Sequence, residues 1–83
     1  MSKGAICERV VTYLVKEIVD DPAAVTVTII EEGPDDILAE VRTAKSDLGR
    51  VIGRRGRVAR AIRVVAQAAA DEEGLQASVE FVD

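Results

Sequence analysis

The sequence predicts an α+β fold in the order α-β-β-α-α-β, and three features predict it. Two stretches, 4–19 and 57–72, repeat apolar residues at helical spacing. Three shorter stretches alternate apolar and polar residues, as strands with one buried face do. Proline and glycine punctuate the boundaries between them. Eighty-three residues suffice for one domain, 1–83, with a modest core. With Tyr13 and Phe81 as its only aromatics, that core must be aliphatic and alanine-filled.

From Gly4 to Val19, Ile6, Val10, Tyr13 or Leu14, and Ile18 form the apolar row, with Glu8, Arg9, Lys16 and Glu17 turned to water. Cys7 falls within this apolar pattern and reads as a half-buried structural thiol. Asp20-Asp21-Pro22 ends the helix, because proline disfavours a helical residue before it. Val25 to Ile29 then alternates as a strand with Val25, Val27 and Ile29 inward. The acidic turn Glu31–Asp36 leads to a second strand, Ile37 to Arg42, hairpin-paired to the first. Ser46 suits the N-cap of a short helix, Asp47 to Ile52, which Gly53 interrupts. A longer helix runs from Arg57 to about Glu72 and stops at Gly74, a C-terminal cap. Leu75 to Val82 alternates again, with Ala77, Val79 and Phe81 on one face.

Composition excludes several chemistries. The chain has no histidine and one cysteine, which removes histidine acid–base catalysis, Cys/His metal sites and an intrachain disulfide. No nucleophile–base pair is visible, so an enzyme is not expected, nor a metal or cofactor. No stretch approaches the roughly 20 apolar residues of a membrane span, and the chain reads as soluble and cytoplasmic.

Charge is the positive signal. Formal net charge is −4, yet residues 42–63 hold eight Lys/Arg against the single acid Asp47, a local +7. A solubility surface would intersperse the signs. Basic charge gathered around backbone-exposing glycines suits a polyanion, although a solvated basic helix face gives the same count. At the centre stands Gly53-Arg54-Arg55-Gly56. Glycine there permits positive φ and lets a bulky anion approach the main chain. Free N–H groups at the start of the Arg57 helix add the positive end of its dipole. Arg54 and Arg55 project toward phosphates, with Arg50, Arg57 and Arg60 within a turn or so.

Rival glycine motifs do not fit. A Walker A string is absent, and a dinucleotide fingerprint needs a strand before the glycines where this chain reads as helix. The Gly49-x-x-x-Gly53 spacing is a dimer motif only inside a membrane span. A purely structural helix–loop–helix corner fits the glycines equally well.

The string Leu48-Gly49-Arg50-Val51-Ile52-Gly53-Arg54-Arg55-Gly56-Arg57-Val58-Ala59-Arg60-Ala61-Ile62-Arg63 resembles the KH-domain signature. The element order resembles the type II arrangement, and nearly the whole chain resembles the small stand-alone bacterial KH proteins of the KhpA family. That resemblance implies a three-stranded mixed sheet covered on one face by three helices. It also implies a Gly-x-x-Gly loop, 53–56, that clamps single-stranded RNA. Val51, Ile52, Val58 and Ile62 would line or support an apolar groove for bases, with exposed polar groups of the second strand as its far wall. The doubly arginine loop and Gly49 depart from the usual pattern.

An RNA chaperone or post-transcriptional regulator follows from the family, with itself or a larger KhpB/Jag-type protein as partner. A protein-interaction subunit with a KH shape, its RNA contact secondary, is the alternative. On the long helix, apolar residues spread over about 200°, more than one sheet can cover. The surplus edge at Ala61, Val64, Val65 and Ala68 is the expected two-fold interface, unless those alanines simply tolerate water and Val65 belongs to the core.

Overall fold

The computed structural model describes residues 2–83. It contains α1 (Ala5–Ile18), β1 (Thr26–Glu31), β2 (Asp36–Arg42), α2 (Leu48–Ile52), α3 (Arg57–Asp71) and β3 (Gln76–Val82). Single 3-10 turns occupy Pro22–Ala24, Lys45–Asp47 and Arg54–Gly56. The sheet order is β1-β2-β3. β1 runs antiparallel to β2, with Val27 opposite Val41, and β3 runs parallel to β2, with Ala39 beside Val79. The expected α+β arrangement, a mixed sheet with three helices, is what the chain forms.

Strand alternation decides which face is covered. Ile37, Ala39, Val41 and Val79 are buried, while Thr26, Thr28, Ser78 and Glu80 on the opposite face are exposed. The buried set packs on Cys7, Val11 and Val15 of α1, Val51 of α2, and Ile62, Ala66, Ala69 and Ala70 of α3. Alanines at three of those α3 positions let that helix approach closely, as an aromatic-poor core requires.

Several boundaries differ from expectation for physical reasons. The buried row of α1 is Cys7, Val11 and Val15; Ile6, Val10, Leu14 and Ile18 flank it, and Tyr13 is 61% exposed. An apolar arc that wide lets tertiary packing choose the centre. Cys7 is therefore fully buried, and burial first, then the nearby Glu73 carboxylate, pushes its thiol pKa up. Such a thiol is inert. The acidic turn shrinks because β1 and β2 pair out to Glu31 and Ile37, and Glu32 N–H donates to Asp36 O at 2.9 Å.

Ser46 does not cap α2. The Lys45–Asp47 turn replaces a clean helix start, and no side-chain cap bond forms. Asp47 turns inward instead and is 1% exposed. Its Oδ1 accepts the N–H of Asp20, and its Oδ2 that of Asp21, both at 3.0 Å. Arg50 closes over it, with Nε 3.6 Å from Asp47 Oδ1 and Nη2 donating to Asp20 Oδ2 at 2.9 Å.

A second carboxylate secures the other end of α1. Glu73, in the turn after α3, accepts the N–H groups of Gly4 and Ile6 at 3.1 and 3.2 Å. Those donors belong to the unsatisfied first turn of a helix, where an anion is favoured. The hairpin tip lies beside this turn, since Gln76 N–H donates to Asp35 O at 2.7 Å and Lys3 Nζ to Pro34 O at 2.6 Å. Among the described residues, no helix is long and apolar enough to cross a membrane.

Asp47→Ala leaves two part-buried N–H groups without their acceptor and is expected to cost about 2 kcal/mol, read from urea unfolding. Arg50→Ala removes an exposed pair to Asp20 and a longer 3.6 Å contact with Asp47 but leaves both amide donors to that carboxylate in place, so it should cost under about 1 kcal/mol. Equal losses from the two substitutions would contradict the role given to the buried carboxylate.

Candidate functional site

The short helix α2 and the long helix α3 meet at Gly53–Gly56, and the backbone there is unusual at three of four residues. Gly53 closes α2 through its N–H to Gly49 O at 2.9 Å, then takes φ 74° and ψ 172°. That region is open to glycine alone. A Cβ on Gly53 would also collide with Val58 Cγ2 and stand 2.8 Å from its Cβ. Arg55 (φ 57°, ψ 25°) and Gly56 (φ 71°, ψ 18°) are both left-handed. The turn is held by Gly56 N–H donating to Gly53 O at 3.1 Å. The backbone N–H groups of Arg54 and Arg55 make no backbone hydrogen bond among the described residues. Two donors thus remain free beside the N-terminus of a 15-residue helix.

The cations of this region divide into two groups. Arg50 is committed to Asp20 and Asp47. Arg60 Nη2 donates to Arg55 O at 3.2 Å and so braces the loop from α3. Arg63 reaches the sheet, its Nε and Nη2 both 3.3 Å from Val79 O. The side chains of Arg54, Arg55 and Arg57 are exposed and make no hydrogen bond or ion pair among the described residues. The loop therefore presents three unneutralised guanidinium groups beside two free N–H donors, an arrangement complementary to phosphate oxygens.

The apolar candidates divide similarly. Val51 is 0% exposed and Ile62 1%, so neither has surface to offer a ligand. Val51, expected at the interface, supports α2 from below instead. Ile52, 38% exposed, and half-buried Val58, against Gly53, remain as apolar surface at the loop. The expected far wall needs correction. β2 is the central strand, paired on both sides, and cannot offer a free edge. The strand edge next to α3 is that of β3, where Gln67 Nε2 donates to Leu75 O and Ala77 N–H donates to Gln67 Oε1, each at 3.0 Å. Sequence reading missed Gln67 as a bridge; its chain offers only a polar residue at helical spacing from Arg60 and Arg63.

On another face of α3, Ala61, Val64, Val65 and Ala68 are all exposed, Val64 at 70%. Val65 joins Arg9, Val10, Tyr13, Leu14 and Glu17 of α1 around an open groove of about 540 Å³. The exposed apolar edge therefore continues onto α1, which the inward placement of Tyr13 had hidden.

The comparisons with known proteins point one way. The family model for the KH domain of KhpA/KhpB matches residues 8–81. The chain is similar to the RNA-binding protein KhpA of Leifsonia xyli, 46% identical over 72 residues that cover 87% of this chain and 91% of that one. It is likewise similar to RNA-binding protein KhpA of Caldanaerobacter subterraneus, 41% identical and covering 89% and 97%. RNA-binding protein KhpA of Borreliella burgdorferi is 38% identical, covering 90% of each chain. The fold also resembles part of Aquifex aeolicus Era in a crystal structure, with TM-score 0.69 at 15% identity over 99% of this chain and 32% of that one.

Gly53→Ala combines a forbidden backbone region with a clash and is expected to cost more than about 2 kcal/mol in urea unfolding. At Gly56 a Cβ meets open space, so Gly56→Ala should cost about 1 kcal/mol. A Gly53→Ala protein as stable as Gly56→Ala would refute the steric account.

Proposed function

The chain belongs to the KhpA/KhpB KH-domain family, and from that premise we propose that it binds single-stranded RNA without catalysing a reaction on it. The observation that carries this reading is the loop: Arg54, Arg55 and Arg57 unpaired, with two free backbone donors between the glycines. A ligand with phosphates at regular intervals and unstacked bases satisfies both features, phosphates at the loop and base faces on Ile52 and Val58. Arg50 and Arg60 contribute by holding α2 and the loop rather than by meeting phosphate. So few contacts suit weak, loosely specific binding, as an RNA chaperone or post-transcriptional regulator in the cytoplasm needs.

Weak single sites gain from being paired. We read the exposed edge at Ala61, Val64, Val65 and Ala68, with its extension onto Tyr13, as the surface for a second copy. Arg9 and Glu17 stand four residues on either side of Tyr13, and both line the groove. A two-fold axis at Tyr13 would set Arg9 of each copy against Glu17 of the other, as an isologous interface demands. The same surface is open to a larger KhpB/Jag-type partner. The reading as an assembly subunit rests on this groove and differs in leaving the loop idle.

Anisotropy with a short labelled single-stranded RNA tests the loop. Arg54→Asp with Arg55→Asp should abolish binding while changing stability by no more than about 0.5 kcal/mol. Log K should fall against log salt with a slope of roughly −2 to −3. Unchanged affinity in the folded double variant would falsify the clamp and favour the assembly reading.

Sedimentation at tens of micromolar tests the pair. Wild type is expected as a dimer, and Val64→Glu or Tyr13→Glu as a monomer. A monomeric wild type removes the second copy from the proposal.

A further inference from the structure

The side of α3 that faces β3 carries more than a brace. α3 and β3 run antiparallel there, for Gln67 meets residues 75 and 77 while Arg63 meets Val79. Continuing that register brings Phe81 one step nearer the Gly53–Gly56 loop. The guanidinium carbon of Arg63 lies over the Phe81 ring, 5.5 Å from its centroid. Two hydrogen bonds to one carbonyl oxygen and a ring beneath hold the guanidinium plane in a single orientation. Arg63 as a residue is nevertheless exposed. Part of its surface is therefore open to solvent.

A fixed, planar, solvent-facing cation is more than charge retention requires. An arginine serving only as a counter-ion has no need of an immobilised plane, and no acidic side chain lies within ion-pair distance among the described residues. Arg63 begins six residues after Arg57, about 9 Å along the helix. One short segment of a strand held at the loop can therefore touch it.

We infer that Arg63, backed by Phe81 and oriented by Val79 O, is a stacking platform for one nucleobase of the bound strand, an inference that rests on the proposed RNA binding. Guanidinium planes stack on bases much as aromatic rings do. This supplies a flat base contact in a chain whose two aromatics are otherwise unavailable at the loop. It also gives Phe81 a purpose at a half-buried edge position, where a smaller apolar residue would cover the sheet equally well.

The test uses single-stranded RNA carrying 2-aminopurine, or an abasic nucleotide, moved one position at a time. Wild type should quench 2-aminopurine at one position, and an abasic nucleotide there should weaken binding about tenfold. Arg63→Lys keeps the charge and loses the plane. It should abolish both the quench and the abasic penalty while leaving the salt slope unchanged. Phe81→Leu should weaken both, and circular dichroism of each variant confirms that it is folded. Position-specific quenching that survives Arg63→Lys, or wild type that binds with no quenching position, overturns the platform alone. Should Arg63→Lys fail to fold, the wild-type scan and Phe81→Leu decide the matter. Wild type that binds no single-stranded RNA overturns the broader reading as well.

Discussion

The buried carboxylate of Asp47 is the constraint on which the rest of the molecule depends. It satisfies the N–H groups of Asp20 and Asp21, where the chain leaves α1 for the proline turn. A buried anion is tolerated only where donors converge on it. Two amides and the Arg50 guanidinium do so here. The start of α2 is thereby tied to the end of α1. Only five residues separate that tie from Gly53, so the loop inherits its position from it. Val51, on the inner side of α2, and the contact of Gly53 with Val58 complete the placement.

What was legible in the sequence follows from the range of each interaction. Helices, strands, the glycine loop and the charge segregation are properties of neighbouring residues, and each appeared where expected to within a few positions. Asp47 was read only as the first residue of a short helix, because the amides its carboxylate accepts lie 26 and 27 residues away. Arg50, Arg60 and Arg63 read alike as cations near a loop; only tertiary structure distinguishes the ion-paired, the bracing and the stacked one. Val51 and Ile52 are adjacent and chemically alike, yet one is sealed and the other 38% exposed. Periodicity in a five-residue helix is too short to separate them. The order of strands in the sheet, which makes β2 central and β3 the edge, has no local signature.

α3 serves three neighbours at once. Its alanine-rich inner arc rests on the sheet, the arc of Arg63 and Gln67 covers the edge of β3, and the exposed arc of Ala61, Val65 and Ala68 meets the α1 groove through Val65. The second and third arcs are centred about 145° apart. Gln67 and Arg63 also occupy backbone groups of an edge strand that would otherwise be open to pairing with another chain, the usual hazard of such edges. The helix thus keeps the β3 edge occupied while leaving its apolar side uncovered.

The hairpin tip and the turn after α3 lie together, and this places Glu31, Glu32, Asp35, Asp36, Asp71, Glu72 and Glu73 at one end of the molecule. The arginine loop begins α3 at the other, about 22 Å away along a 15-residue helix. Opposite charges separated by that length make the whole protein a large dipole. In the field of a polyanion it experiences a torque before contact, and the torque turns the loop forward. The acidic end is repelled at the same time, so few encounters are spent on the wrong face. Added salt shortens the distance over which this orientation acts. The acidic residues at that end thus add to the torque on the molecule in such a field.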